Sequence, residues 1–256
     1  MKKYIHPSQR VGITEAGDPA FNTEIFDKLY DANVIITKSL TGRLIDKLVE
    51  NKAKCILHMT CTGYGGTEIE PFVPDVDKTL TQIDKLISVG FPANQIVLRI
   101  DPILPTFKGR KKAYEVAGRF AGKGITRLRF SIMDAYEHVK KRFNEKGIDI
   151  PFNGFHASYM ARKEVLYGMM TIGKRYGYEI ECCGEPGINS IPCISQKDLD
   201  ILGQTTKINL TDNAGQRKSC SCPANKTELI KRGKPHRCHH QCLYCFWKDE
   251  NERQND

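Results

Sequence analysis

Short apolar runs alternate with amphipathic segments along most of this chain of 256 residues. Six of the runs have the length and the content of β-branched residues that are typical of strands in a buried parallel sheet. They cover residues 11–14, 33–37, 54–60, 95–103, 125–133 and 178–183. The pattern therefore predicts at least six strands, each separated from the next by a stretch of different periodicity.

The segments near and between these runs carry apolar residues at helical spacing. Glycine follows several of them, at the position where helices commonly end. The six stripes are formed by Phe21, Ile25, Phe26 and Leu29; by Leu44, Ile45, Leu48 and Val49; by Leu80, Ile83, Leu86 and Ile87; by Val116, Ala117 and Phe120; by Tyr136, Val139 and Phe143; and by Val165, Leu166, Met169 and Ile172. We interpret all six as core faces of helices.

Strands that alternate with helices indicate parallel pairing through right-handed crossovers. Six such units predict an α/β fold, a partial (β/α)6 TIM-like barrel that is open at one side, although an open doubly wound sheet fits the same pattern. We assign residues 1–210 to the barrel. Residues 211–256 form a cysteine-rich C-terminal extension, which we expect to carry the cluster loop and to pack on the barrel mouth.

In a barrel of this type, chemistry gathers at the carboxyl ends of the strands. Polar residues stand at these positions in the chain, beginning with Asp18 and Lys38 after the first two runs. The candidates for holding a cofactor or a substrate are Arg99 and Asp101 in the fourth run, Ser131 and Asp134 at the fifth, and Glu185 after the sixth.

Three cysteines near the C-terminus have the spacing C-x3-C-x2-C, at Cys238, Cys242 and Cys245. An iron–sulfur cluster of the [4Fe–4S] type normally takes four thiolates. A loop that offers three leaves one iron open, and an open iron can bind a small molecule. The triplet therefore predicts a [4Fe–4S] cluster with a vacant position.

Four further cysteines lie at or after the end of the sixth run, mostly in segments rich in glycine, proline and serine. They are Cys183, Cys193, Cys220 and Cys222. Four thiolates can close a second site around tetrahedral zinc or an auxiliary iron–sulfur cluster. The alternative is that several of them are plain buried thiols, as we expect for Cys55 and Cys61.

A second class of function uses the C-terminal cysteines differently. Cys220 and Cys222 would join Cys242 and Cys245, or one of the nearby histidines, to hold structural zinc. The histidines are His236, His239 and His240. A zinc ribbon beside basic residues is typical of a nucleic-acid-binding protein without redox chemistry. We favour the cluster because zinc has little use for a third thiolate in so short a loop, whereas iron–sulfur ligation uses it directly.

The formal net charge of +9 favours an anionic partner, such as a nucleotide or a nucleic acid. No apolar stretch is long enough to span a membrane, and the N-terminal residues lead into no signal-like apolar region. Ten cysteines in a chain of this size suit a reducing compartment, in which thiols serve metals or cores. We therefore expect a cytoplasmic protein without a membrane partner.

Several motifs together resemble one family. They are Gly17-Asp-Pro-Ala-Phe21, Thr60-Cys-Thr-Gly-Tyr-Gly65 with Glu70-Pro71, Arg99-Ile-Asp-Pro-Ile-Leu104, Ser131-Ile-Met-Asp134-Ala-Tyr136, Cys183-Gly-Glu185, Cys193-Ile194, Cys220-Ser-Cys222 and the terminal triplet. The chain resembles an uncharacterised group of bacterial and phage proteins with a domain of unknown function. These look like distant relatives of spore photoproduct lyase, and the spacing of the triplet resembles that of radical S-adenosylmethionine (SAM) enzymes.

This resemblance implies a radical SAM barrel whose cluster loop comes last in the chain. It implies that SAM completes the open iron, that Tyr244 packs near the adenine, and that the second cysteine group belongs to the pattern. An electron donor such as a flavodoxin or ferredoxin would supply the electron, and the substrate would be a small molecule or a nucleic acid. The chain departs from the family at Gln241, where the family has glycine, at 14–17, and at 246–248.

Overall fold

Seven parallel strands form one sheet in the computed structural model, which describes residues 4–150, 152–213, 219–231 and 238–248. The strand order is β6-β5-β4-β3-β2-β1-β7, so the first six strands lie side by side in the order of the sequence. The strands are β1 (Val11–Ile13), β2 (Asn33–Thr37), β3 (Cys55–Thr60), β4 (Ile96–Ile103), β5 (Arg127–Ile132), β6 (Glu179–Cys182) and β7 (Lys226–Glu228). The prediction of an α/β fold is confirmed at this level.

Helices connect most of the successive strands. They are α1 (Gly42–Glu50), α2 (Val76–Ser88), α3 (Phe107–Phe120), α4 (Glu137–Glu145), α5 (Tyr159–Tyr176) and α6 (Gln196–Ile201). A side-chain oxygen caps the first turn of several of them, as Asp75 does for α2 by accepting from the amide of Lys78 at 2.8 Å. Gly177 ends α5 in the left-handed conformation, at φ +77°.

The sheet is covered on both faces, which explains why most residues of β1 to β4 are apolar. On one face Ile35, Leu57 and Leu98 pack against the apolar stripes of the helices. On the other face Val34, Ile56 and Val97 contact the segment that follows β6. That segment contributes Cys183, Cys193, Ile194, Leu199, Ile208, Cys220 and Cys222 to this second core.

The second face also buries charge. Arg127 and Arg129 of β5 both donate to the carboxylate of Glu181 on the neighbouring strand β6, with Nε–oxygen distances of 2.9 and 2.8 Å. Asp198 of α6 accepts from Nη1 of Arg127 at 2.7 Å. All four side chains are at most 4% exposed. They form a buried ion network that ties α6 to the sheet.

The six predicted strands are confirmed to within two residues at each end. The sequence pattern did not predict β7 or α6. The first predicted helical stripe is wrong in type, because residues 19–28 form two 3-10 helices, Pro19–Phe21 and Thr23–Lys28, with Phe21 on the surface. Among the described residues, no helix combines the length and the apolarity that crossing a bilayer requires.

Candidate functional site

The loop that carries Cys238, Cys242 and Cys245 lies against segments that follow β1 and β3. The amide of Leu243 donates to the carbonyl of Ile69 at 3.0 Å. The ring of His240 is buried and lies between Asp18, at 2.8 Å from Nε2, and the carbonyl of Phe72, at 3.0 Å from Nδ1. Both of these partners are acceptors, so the imidazolium form of His240 can donate to both at once.

Asp18 joins this loop to the first two strands. One carboxylate oxygen accepts from the hydroxyl of Thr37 at 2.6 Å and from the amide of Ala20 at 2.8 Å. The other accepts from the amide of Lys38 at 2.8 Å and from His240. A buried carboxylate with this many donors is fully hydrogen-bonded, so Asp18 fixes the loop relative to the ends of β1 and β2.

A second contact runs through Tyr244, the residue before the last cysteine. Its hydroxyl lies 2.6 Å from Nζ of Lys38 and also donates to Glu70. Lys38 and Glu70 form an ion pair at 2.7 Å, and the hydroxyl of Thr62 donates to the other oxygen of Glu70 at 2.6 Å. Burial lowers the pKa of Lys38, but the charges of Glu70 and Cys242 outweigh it and raise that pKa overall. Lys38 is therefore a fixed cation beside the cysteine loop.

A tight turn after β3 places Glu70 in this network. The backbone at Gly65 passes so close to the next segment that a Cβ atom there would lie 2.0 Å from the carbonyl oxygen of Pro74. Gly66 has φ +76° and donates its amide to the carbonyl of Glu70 at 3.0 Å. Gly65 is thus required by the close approach of the backbone, and Gly66 by the turn.

The three thiols of the loop are close enough to act on one another electrostatically. Burial raises the pKa of Cys242, and negative charge on Cys238 and Cys245 raises it further. Burial also raises the pKa of Cys238, as does the charge of Cys245, whereas hydrogen bonds from the amides of His240 and Gln241 oppose both effects. Three thiolates here would repel one another, and a bound cationic centre would remove that repulsion.

Gln241 gives the loop its shape. Its φ of +50° makes it the one non-glycine residue with positive φ in the described part of the chain. Glycine adopts this conformation without steric cost, and here a glutamine adopts it. Cys242 is buried in the loop, while Cys238 and Cys245 are half-buried.

Arg142 of α4 binds the far end of the loop. It donates to the carbonyl of Cys245 at 2.6 Å from Nη1 and to the carbonyl of Trp247 at 2.8 Å from Nη2. Its side chain is almost completely buried. Arg142 therefore links α4 to the cysteine loop by hydrogen bonds, beside the apolar cluster that the helix and the loop also share.

Replacing Arg142 with alanine should loosen this end of the loop. An unpaired buried polar group costs about 1–3 kcal/mol, and this substitution leaves two carbonyls without their donor. Hydrogen exchange followed by mass spectrometry should show faster exchange in a peptide covering 238–248, with the strands unchanged. Lys140→Ala, a more exposed site on the same helix, is the control and should leave this exchange unaltered. Equal exchange in both variants would contradict the assigned role.

The other four cysteines form a separate group on the second face of the sheet, the one that Val34, Ile56 and Val97 line. The sulfurs of Cys183 and Cys193 are 3.6 Å apart, and the amide of Cys193 donates to the sulfur of Cys222 at 3.2 Å. Hydrogen bonding to the thiols of Cys193 and Cys220 raises the pKa of Cys222. All four side chains are buried. The structure thus brings Cys220 and Cys222 to the sixth strand, away from the pairing with Cys242 and Cys245 that a zinc ribbon would need.

No cysteine of the chain is in a disulfide. Within the described ranges, no group of three or more His, Cys, Asp or Glu side chains is arranged as a single metal ion would require. An iron–sulfur cluster has a different requirement, since each thiolate binds its own iron. Of the three histidines considered for zinc, His240 is bound to Asp18, His239 packs beside Phe21 and Phe72, and His236 lies outside the described residues.

Three of the predicted strand-end residues lie together. Arg99 pairs with Asp101 through Nε at 2.7 Å, and Ser131 donates to the same carboxylate. The charge of Arg99 outweighs burial and lowers the pKa of Asp101. Arg99 also reaches the sulfur of Cys193, at 3.7 Å from Nη1, and Asp101 acts electrostatically on Lys38. This ion pair therefore lies between the two cysteine groups.

The two remaining candidates have other partners. Asp134 lies 2.7 Å from Nδ1 of His156. Glu185 accepts from the amide of Ile132 at 2.8 Å, so it holds the end of β5. Sequence reasoning missed Glu70 and Arg142 as parts of the site and considered His240 only as a zinc ligand. The one available signal was that Glu70 lies in a motif shared with the resembled family.

A known protein family matches most of this chain. A model described as a domain of unknown function, DUF1848, matches residues 23–247. The chain belongs to the DUF1848 family. Both cysteine groups of this DUF1848 protein lie inside the matched region, whereas Asp18 lies just outside it. No curated protein matches the chain.

Proposed function

We propose that this DUF1848 protein is a radical SAM enzyme in which Cys238, Cys242 and Cys245 hold a [4Fe–4S] cluster. The observation that carries the proposal is the position of the loop, with three free and mutually interacting thiols held against the ends of β1, β2 and β3. When bound, such a cluster supplies the electron that splits SAM and yields a 5′-deoxyadenosyl radical. Parallel α/β sheets place ligands at this edge.

The residues around the loop suit this cofactor. The amides of His240 and Gln241 donate to the sulfur of Cys238, which stabilises a thiolate. Lys38 supplies positive charge beside Cys242. Cys242 is buried and anchors the loop, while half-buried Cys238 and Cys245 leave the centre accessible to a ligand from the mouth of the sheet.

We propose further that the sheet curves into a partial (β/α)6 barrel, with β7 as an addition beside β1. The sequential strand order supports this, because a doubly wound sheet reverses its order near the middle, where its ligand binds. In this sheet the one departure from sequential order is at the edge, between β1 and β7. A barrel of this kind would exclude water from the radical by enclosing it.

The strand-end residues would then face the cofactor and the substrate. Arg99, Asp101 and Ser131 form a polar group suited to the ribose or the carboxylate of SAM. Tyr244 would meet the adenine through its ring, since its hydroxyl is already bound. Asp134 with His156, and Glu185, remain candidates for the substrate.

The positive net charge favours an anionic substrate, a small molecule or a nucleic acid, and a flavodoxin or ferredoxin would deliver the electron. A base in duplex DNA would have to be flipped out to reach this site.

The test is anaerobic purification of the full chain, followed by iron and sulfide analysis. The proposal expects a brown protein that releases 5′-deoxyadenosine from SAM when a strong reductant is added. A colourless protein that neither takes up iron and sulfide nor cleaves SAM after anaerobic reconstitution would refute it. Binding of nucleic acid by such a colourless protein would support the alternative, a basic zinc protein without redox chemistry.

A further inference from the structure

A second group of cysteines lies on the second face of the sheet, beside Val34, Ile56 and Val97, and has no role in the proposed function. Cys183 follows β6, Cys193 lies in the next loop, and Cys220 and Cys222 come from the segment that leads into β7. We infer that these four cysteines bind one zinc ion as a tetrathiolate. This inference does not rest on the proposed radical chemistry.

The spacing of the sulfurs suits a single ion. Zinc binds thiolates at about 2.3 Å, so the sulfurs of a regular tetrahedron around it lie about 3.8 Å apart. The sulfurs of Cys183 and Cys193 are 3.6 Å apart. The amide of Cys193 donates to the sulfur of Cys222 at 3.2 Å, and hydrogen bonding to the thiols of Cys193 and Cys220 raises the pKa of Cys222, so all four side chains lie in one buried group. A [4Fe–4S] cluster would place its ligands on separate irons, which gives no reason for sulfurs in direct contact.

An ion bound among these cysteines would replace the thiol protons. Zinc needs the deprotonated form of each ligand, so binding releases protons. The four sulfurs do not surround one point in the structure, so the side chains would have to rotate toward a common centre when the ion binds.

The surroundings supply the positive charge that four thiolates require. Zinc with four thiolates carries a net charge of −2, which is costly to bury without compensation. Nη1 of Arg99 lies 3.7 Å from the sulfur of Cys193, and Lys226 acts electrostatically on Cys220 and Cys222. Arg129 acts on Cys183 and Cys193 in the same way.

Arg129 provides a separate indication. Its side chain is completely buried, and its Nη1 atom has no hydrogen-bond partner among the described residues. Buried polar atoms in native structures are nearly always hydrogen-bonded. The unpaired Nη1 donor of Arg129 lies near these thiols and indicates that an anionic group binds there. A zinc tetrathiolate is such a group.

The proposed ion would connect parts of the chain that are distant in sequence. Cys220 and Cys222 precede β7, and β7 pairs with β1. Zinc would therefore link the segment 219–231 to the end of β6 across the second face of the sheet. Its role would be structural, because all four positions of a tetrahedral ion would be filled by protein.

The test measures zinc in the full chain and in two matched variants. After expression with zinc, the wild-type chain should contain stoichiometric zinc by mass spectrometry of the metal. The Cys193→Ala variant should lose this zinc. The Cys182→Ala variant should keep it, because Cys182 precedes Cys183 in the sequence but packs on the opposite face of the sheet. Titration of the demetallated wild-type chain with Co²⁺ should give the strong visible absorption of a tetrahedral cobalt–thiolate site, a readout that needs no variant.

Two results would overturn the inference. One is a wild-type chain that takes up neither zinc nor Co²⁺. The other is a triple variant, Cys238→Ala with Cys242→Ala and Cys245→Ala, that retains iron and sulfide. This would assign an iron–sulfur cluster to the four cysteines for which zinc is proposed. If the triple variant loses iron but keeps zinc, the zinc site is independent of the cluster that the proposed function requires. Failure of SAM cleavage alone would leave the zinc result in force.

Discussion

Replacing Glu181 with alanine should lower the free energy of unfolding by about 3–5 kcal/mol, the cost of breaking a buried ion pair from one side. The Glu181 carboxylate accepts from Arg127 and from Arg129 within the sheet. Arg127 would keep Asp198 as a partner, but Arg129 would be left as a buried cation without its carboxylate. Urea unfolding followed by circular dichroism measures the loss.

Two controls make this result specific. Asp84→Ala removes an ion pair with Lys123 in which the carboxylate is well exposed, and it should cost less than about 1 kcal/mol. The double variant Arg129→Met with Glu181→Leu should recover part of the lost stability, because it removes the unpaired charge together with its partner. A loss below about 1 kcal/mol for Glu181→Ala would show that the network does not stabilise the fold.

Replacing Cys242 with alanine should leave the protein without the iron and sulfide of the proposed main cluster, and SAM cleavage should be abolished. Cys242 is the most buried of the three thiols in the loop, and the charge of Lys38 acts on it. Two half-buried thiolates would remain, and a cubic cluster needs more than two protein ligands to be retained. Iron analysis, the visible spectrum and 5′-deoxyadenosine release measure the effect.

Cys55→Ala is the matched control for this substitution. Cys55 is a buried thiol at the start of β3 that packs in the core between sheet and helices, away from both cysteine groups. Burial raises its pKa to about 12, so it remains a thiol near neutral pH and behaves as an apolar side chain. This variant should keep its iron. Cluster content that is equal in the Cys242 and Cys55 variants would remove Cys242 from the set of ligands.

Much of the fold was predictable because most of its strands are apolar on both faces and are separated by amphipathic helices. The periodicity changes at nearly every boundary, so strand ends could be located to within two residues. β7 escaped because it is a polar edge strand of three residues, Lys226–Glu228, with no apolar run. Residues 19–28 have a helical stripe, but Asn22 leaves the helical conformation at φ −139° and ψ +51°, which divides the segment into two short 3-10 helices.

Less of the site was predictable, because its contacts join residues that are far apart in sequence. The cysteine spacing identified the loop, and the rule for strand ends identified Asp18 and Lys38. Nothing in the local sequence indicates that Glu70 meets Tyr244, or that Arg142 binds the carbonyl of Cys245. Such pairs depend on how a sheet and its connections bring distant segments together, and a single sequence records no trace of that proximity.

The hydrogen bond between Asp18 and His240 joins residues that are 222 positions apart. A ribosome exposes Asp18 early, together with the first strands, and it translates His240 only after all the helices have emerged. Until then the Asp18 carboxylate lacks the donor that ties it to the cysteine loop. Loading of the proposed cluster into the loop must therefore follow translation of this whole stretch, because a chain that ends before His240 also lacks Cys242 and Cys245.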